Sequence, residues 1–245
     1  MKTIKLAIIT VIVAILSIGV LSAQDTGSEI LNTTLITVKL GHHTKFIEGV
    51  KKWKDCYVEN EGENTWNMWH RQQGEGNVYA MSGMKVNWAE MDKEDQASNA
   101  CYQILLNDIS PHIEKVSSRI SRTMPEVSKS ISEDPKFIRV TYYEVHKEYA
   151  FMEVLNAVSK AIKDKEGTTR GQWYNIELGG PETPDFFVVQ AYQKYADLDI
   201  QRDSPAKIYT DAMGEEKANE LWETWFDTLQ NSWTYIYKLN EEMSN

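Results

Sequence analysis

A histidine held beside a carboxylate can move protons near neutral pH, because the imidazole is poised there and the carboxylate orients it. In this 245-residue chain the pair that qualifies is His70 and Glu177. They lie in two aromatic stretches, Thr65–Gln72 (TWNMWHRQ) and Arg170–Leu178 (RGQWYNIEL), at equivalent places in a pattern that runs twice. Alternation puts Trp66, Met68 and His70 on one side of the first, and Trp173, Asn175 and Glu177 on one side of the second. A third stretch, Phe137–Val145 (FIRVTYYEV), offers Arg139, Thr141 and Tyr143 on one side and Ile138, Val140 and Tyr142 on the other.

The mixed sides are expected to look inward and the apolar side to lie under helices. That gives an aromatic-walled pocket: Trp66, Met68, Tyr143, Trp173 and Tyr192 form the walls, and Arg139, Asn175, His70 and Glu177 orient a small, mostly apolar or aromatic molecule. Ser82, Met84 and Gln190 would join the inner surface, with Lys39 near its rim. Two uses of the polar groups stay open. His70 and Glu177 could act in catalysis, or Arg139 could neutralise Glu177 while His70 is a hydrogen-bonded core residue, since a buried charge needs a partner whatever the function.

Other constellations are poorer in chemistry. His42, His43 and His146 fall at strand ends, and His112 follows Pro111; they could meet a metal or a haem iron. No Cys/His/Asp cluster has ligand spacing, however, and no metal or cofactor is expected. There is no glycine-rich phosphate loop after a strand and no nucleophile elbow. The net charge is −10 and no basic run exceeds short pairs, which argues against a nucleic-acid partner.

The chain opens like an exported protein. Lys2 and Lys5 precede an apolar run, Leu6–Leu21, and Ser22-Ala23 suits cleavage, so residues 1–23 read as a signal peptide. The competing reading is an uncleaved membrane anchor. Cleavage would leave no membrane segment and a secreted or periplasmic protein. In that compartment the two cysteines, Cys56 and Cys101, either form one disulfide or sit as buried thiols.

The elements that position these side chains come in a repeated order. Residues 24–34 read as a disordered polar leader. Leu35–Gly41 is expected as a strand, Thr44–Val58 as a helix, Thr65–Gln72 and Val78–Trp88 as a hairpin, Glu94–Ile109 as a helix and Ser118–Met124 as a strand. After a Ser- and acid-rich linker, 129–136, the order returns. Phe137–Val145 is a strand, Tyr149–Lys163 a helix, Arg170–Leu178 and Asp185–Tyr195 a hairpin, Glu215–Gln230 a helix and Trp233–Leu239 a strand, before a polar tail. Ile36 and Ile138, 102 positions apart, mark the repeat. The domains are thus 35–128 and 137–245, each β-α-β-β-α-β.

That order resembles the ferredoxin-like plan, and two such units in one chain resemble the dimeric α+β-barrel superfamily in a tandem-fused form. The resemblance implies an α+β protein with two four-stranded sheets packed face to face as a pseudo-dimer, helices outside and a cavity between. It covers about Leu35 to Leu239, and no motif selects a family within the superfamily. It implies a barrel that binds a small molecule between its sheets. The alternatives it brings are a cofactor-independent monooxygenase or isomerase with His70 as base, or a haem protein with His70, His112 or His146 on the iron. The assembly expected is a monomer or homodimer.

Overall fold

The computed structural model describes residues 27–129, 131 and 134–245, so the expected signal peptide lies outside the described residues. In chain order the main elements are β1 (Ile30–Val38), α1 (His43–Glu59), β2 (Asn67–Arg71), β3 (Asn77–Lys85), short helical turns across 96–112 and β4 (Ile113–Thr123). The second half repeats them as β5 (Phe137–Val145), α2 (Glu148–Glu166), β6 (Gln172–Leu178), β7 (Phe186–Tyr192), α3 (Pro205–Met213), α4 (Glu215–Thr228) and β8 (Leu229–Leu239).

Each half makes a four-stranded antiparallel sheet, β4-β1-β3-β2 and β8-β5-β7-β6. The sheets face each other and also pair along both edges, β2 with β8 and β4 with β6, closing an eight-stranded barrel. Closure leaves no sheet edge free to recruit another chain. Among the described residues no helix is long and apolar enough to cross a membrane.

Three segments differ from expectation. β1 begins at Ile30, inside the stretch read as leader. Threonine suits a strand, and Thr34 shares a 3.1 Å hydroxyl contact with Ser118 across the ladder. The helix expected over Glu94–Ile109 is broken into short turns, opening where Asp95 caps Ser98. The tail is no free tail: Met243 is fully buried beneath α1.

Both faces of the barrel wall are buried, but with different partners. The lumen holds Trp69, Val140, Tyr142, Tyr174, Phe187 and Tyr237. Outside, Ile36, Val38 and Met68 pack with Phe46 and Val50 of α1, and Tyr143, Trp173 and Phe186 pack with Phe151 of α2 and Trp225 of α4.

This reverses the expected facing of β5. Ile138, Val140 and Tyr142 look into the lumen, while Arg139 and Tyr143 lie on the helix side. The lumen takes the set rich in apolar side chains, whereas Arg139 has its polar partner, Gln190, on the outside. In β1 the expectation stands, with Ile36 and Val38 under α1. Ile36 and Ile138 therefore face opposite ways, and the true offset between halves differs from 102 by an odd number. An odd slip sends every side chain of a strand to the other face.

Cys56, in α1, and Cys101, in the turns that follow β3, form a disulfide with Cα atoms 6.0 Å apart. The bond ties the first helix to the 96–112 run.

Candidate functional site

The outer face of the second sheet does not close completely against its helices. Between β5–β7 and α2, α3 and α4 lies a cavity of about 700 Å³. Its aromatic wall is built by Tyr143 and Trp173 from the sheet, stacked with centroids 5.4 Å apart, and by Trp225 from α4, edge-on to Tyr143 at 5.5 Å. Leu155, Val158 and Ile162, one side of α2, supply the aliphatic wall. Spacings of three and four residues place them on one helical stripe.

The polar groups gather on the strands and the adjoining loop. Arg139 donates from Nε and Nη2 to Gln190 Oε1 at 3.1 and 2.6 Å and has no carboxylate in ion-pair contact among the described residues. Neighbouring Arg170 is different, being paired with Glu166. Two buried side-chain atoms in the cavity wall, Thr169 Oγ1 and Trp222 Nε1, have no hydrogen-bond partner. A buried donor left unmatched costs about 1–3 kcal/mol, so such atoms call for an acceptor. Burial pushes the Tyr143 phenol up to about 12, against an opposing pull from Arg139, so it remains protonated at neutral pH.

In the first half Met243 and its neighbours fold back beneath α1, held by Trp66 Nε1 donating to the Met243 carbonyl at 2.8 Å. In the second half the segment after β4 is the counterpart: buried Val127 packs on Phe151 and Leu155, Trp173 N–H donates to Ser128 Oγ at 2.8 Å, and the cavity remains beside it.

The expected site residues are divided by this arrangement. Arg139, Tyr143 and Trp173 do come together, but on the helix side of the sheet and not in the lumen. Tyr192 lies beyond Gln190, in a groove that shares Arg139, Arg170 and Gln190 with the cavity. Asn175 is on β6 opposite Phe186, on the same side of its strand as Trp173. Trp66 is buried against Trp53 and Tyr57 on the helix side, with one edge at the lumen mouth. Met68 is in the core beneath α1. Ser82 and Met84 do line the lumen.

His70 and Glu177 are not brought together. His70 stacks on Tyr79 with centroids 4.5 Å apart and bonds Asn77 Oδ1 through Nε2 at 2.7 Å, beneath α1. Burial holds its imidazole below the ordinary value, favouring the neutral ring. Glu177 makes a two-point ion pair with Arg122 across the β4–β6 seam, Nε to Oε1 at 2.6 Å and Nη2 to Oε2 at 3.3 Å.

The histidines considered for a metal or haem scatter likewise. His42 and His112 pair through their Nδ1 atoms at 2.9 Å, and His146 is exposed. Among the described residues no group of three or more metal-ligating side chains forms. The lining of the large cavity contains no histidine, cysteine or methionine, and its one tyrosine, Tyr143, is held protonated by burial.

Reading the sequence alone misses Thr169 and treats Trp222 and Trp225 only as the apolar face of a helix. It also misses the lumen rings. Trp69 and Tyr174 are each one residue away from side chains that were singled out, so the right phase of alternation was the signal that would have found them.

No family model matches the sequence, and no curated protein matches it either. Solved structures do share its shape. An anthrone oxidase-like protein matches with a TM-score of 0.52 at 7% identity, over 87% of this chain and 92% of the other. A protein from Lactobacillus acidophilus NCFM, provisionally described as a monooxygenase, matches at 0.51 and 12% identity, over 89% and 98%. A point mutant of the chlorite dismutase from Candidatus Nitrospira defluvii matches at 0.51 and 9% identity, over 88% and 92%. At such identities what is shared is the fold: this chain is built as a dimeric α+β barrel, with both halves of the pseudo-dimer in one polypeptide.

Proposed function

We propose that this is an exported small-molecule-binding protein whose ligand sits between the second sheet and its helices, and not between the two sheets as the sequence alone suggests. The ligand is mostly apolar or aromatic and carries hydrogen-bond acceptors. Tyr143, Trp173 and Trp225 would hold its flat part, and Arg139, Thr169 and Trp222 would meet its polar atoms. The observation that carries this reading is a cavity of about 700 Å³ walled by Tyr143, Trp173 and Trp225, beside two buried side-chain atoms, Thr169 Oγ1 and Trp222 Nε1, that have no hydrogen-bond partner. Export is supported by the leader-like residues 1–23 and by the Cys56–Cys101 disulfide, which suits an oxidising compartment. One chain closes the whole barrel, so no second copy is needed to complete it.

Binding is favoured over turnover because the cavity lining holds neither a histidine nor a carboxylate to carry protons. The test is fluorescence titration with N-phenyl-1-naphthylamine, an uncharged aromatic probe. Wild-type protein should give saturable enhancement at one class of site. Ser159→Phe, which drives a ring into the cavity from α2, should abolish it while far-UV circular dichroism stays unchanged. Absence of saturable binding to the wild type, or full binding by a folded Ser159→Phe variant, would overturn the proposal.

A further inference from the structure

Arg119 is a second cation without a counter-ion, and it is on the opposite side of the wall. It sits on β4, directly across from Thr33 of β1, and is only 8% exposed. Its guanidinium lies over two rings, 4.8 Å from the Tyr142 centroid and 5.2 Å from that of Phe187. Its Nη2 donates to Tyr142 Oη at 3.0 Å, and its buried Nε has no partner. The Tyr142 and Tyr237 hydroxyls are 3.3 Å apart. Either of these two hydroxyls can donate to the other. Arg119, Tyr142 and Tyr237 all border a lumen cavity of about 540 Å³ whose remaining wall includes Trp69, Tyr174 and Phe187.

We propose that this lumen is a distinct anion-selective site that takes a flat aromatic carboxylate, with Arg119 as its counter-ion. The physical reason is that a guanidinium removed from water must be compensated, and rings compensate it only in part. Arg119 has no ion-pair partner among the described residues. A carboxylate accepts from a guanidinium in a fixed planar geometry, and the surrounding rings would hold a flat body. Two acidic residues, Glu29 and Asp134, border the same cavity, and neither is within ion-pair distance of Arg119. The site shares no lining residue with the helix-side cavity, so it stands or falls independently of the function proposed above.

The experiment is calorimetric titration of the mature protein with 2-naphthoate and with its neutral isostere, 2-naphthamide. The acid should bind the wild type about 10-fold or more tightly than the amide, the scale expected of a hydrogen bond to a charged group. Arg119→Met should erase that preference by weakening the acid alone. Both proteins are also titrated with Ser159→Phe added, which fills the helix-side cavity and should leave the preference, and its loss in Arg119→Met, unchanged. Should Arg119→Met fail to fold, the Arg119 Nε–H resonance of arginine-labelled wild type gives the reading, moving with naphthoate and not with naphthamide. Equal affinity for acid and amide, a preference that disappears in Ser159→Phe or survives Arg119→Met with the helix-side cavity filled, or an Nε–H signal unmoved by saturating naphthoate would each overturn the proposal.

Discussion

Trp66 and Met243, from opposite ends of the fold, close the first half together: the Trp66 indole donates to the Met243 carbonyl at 2.8 Å, in a buried contact. The backbones of Trp66 and Asn245 exchange two further bonds, at 3.0 and 3.3 Å, so the tail is seated like a short strand. This seating makes Met243 part of the core beneath α1, as Val127 is part of the core beneath α2.

Met243→Ala should therefore behave as a core truncation and not as a change in a tail. A fully buried methionine cut to alanine costs about 2–5 kcal/mol. Guanidinium unfolding checks this, and a loss below about 1 kcal/mol would show that the tail is not part of that core.

Gly49 sets propensity against packing. In an exposed helix, Gly→Ala gains about 1 kcal/mol. Here an added Cβ would come 2.1 Å from the backbone oxygen of Asp108, which cannot swing aside as a side chain would. Overpacking of that kind costs about 1–3 kcal/mol or more, so Gly49→Ala should lower the stability and the melting temperature despite the better helix former. An unchanged or raised melting temperature would mean that the 96–112 run yields.

The Cys56–Cys101 disulfide closes a separation of 45 residues. The chain-entropy relation puts its contribution at about 4 kcal/mol as an upper figure. The double substitution Cys56→Ala, Cys101→Ala should lower unfolding free energy by about 2–4 kcal/mol. A thiol assay on denatured, non-reduced protein from an oxidising compartment should find no free cysteine.

His70 makes stability depend on pH. Its folded value is held below the unfolded one by burial, so below about 6.5 the unfolded chain binds more protons at this position. The stabilisation is present in full above that value and is lost as pH falls through it. The melting temperature should drop between pH 7.5 and 5.5, and His70→Gln, which cannot titrate, should flatten part of that slope. Parallel slopes for the two proteins would assign the dependence elsewhere.

Some of this structure was legible in the residues. Phe137–Val145 reads as a strand and is one, with the same limits. The order of strands and helices in both halves, and the ferredoxin-like resemblance it carries, also agree with the structure. The leader and the tail misled because short polar segments look unstructured until a neighbour supplies their bonds, as β4 does for Thr34 and Trp66 does for Asn245.

What the sequence determined by itself was a succession of elements and a stock of large rings, because local periodicity and β-branched or aromatic enrichment are properties of a few neighbouring residues. Which side of each strand meets which neighbour was decided only by the closed barrel. A strand covered on both faces carries apolar residues in both phases, so its pattern has no preferred side, and only the packing of α1, α2 and α4 against it resolves the choice. That choice places Arg139 on the helix side and leaves Arg119 in the lumen, where alternation alone had put Arg139.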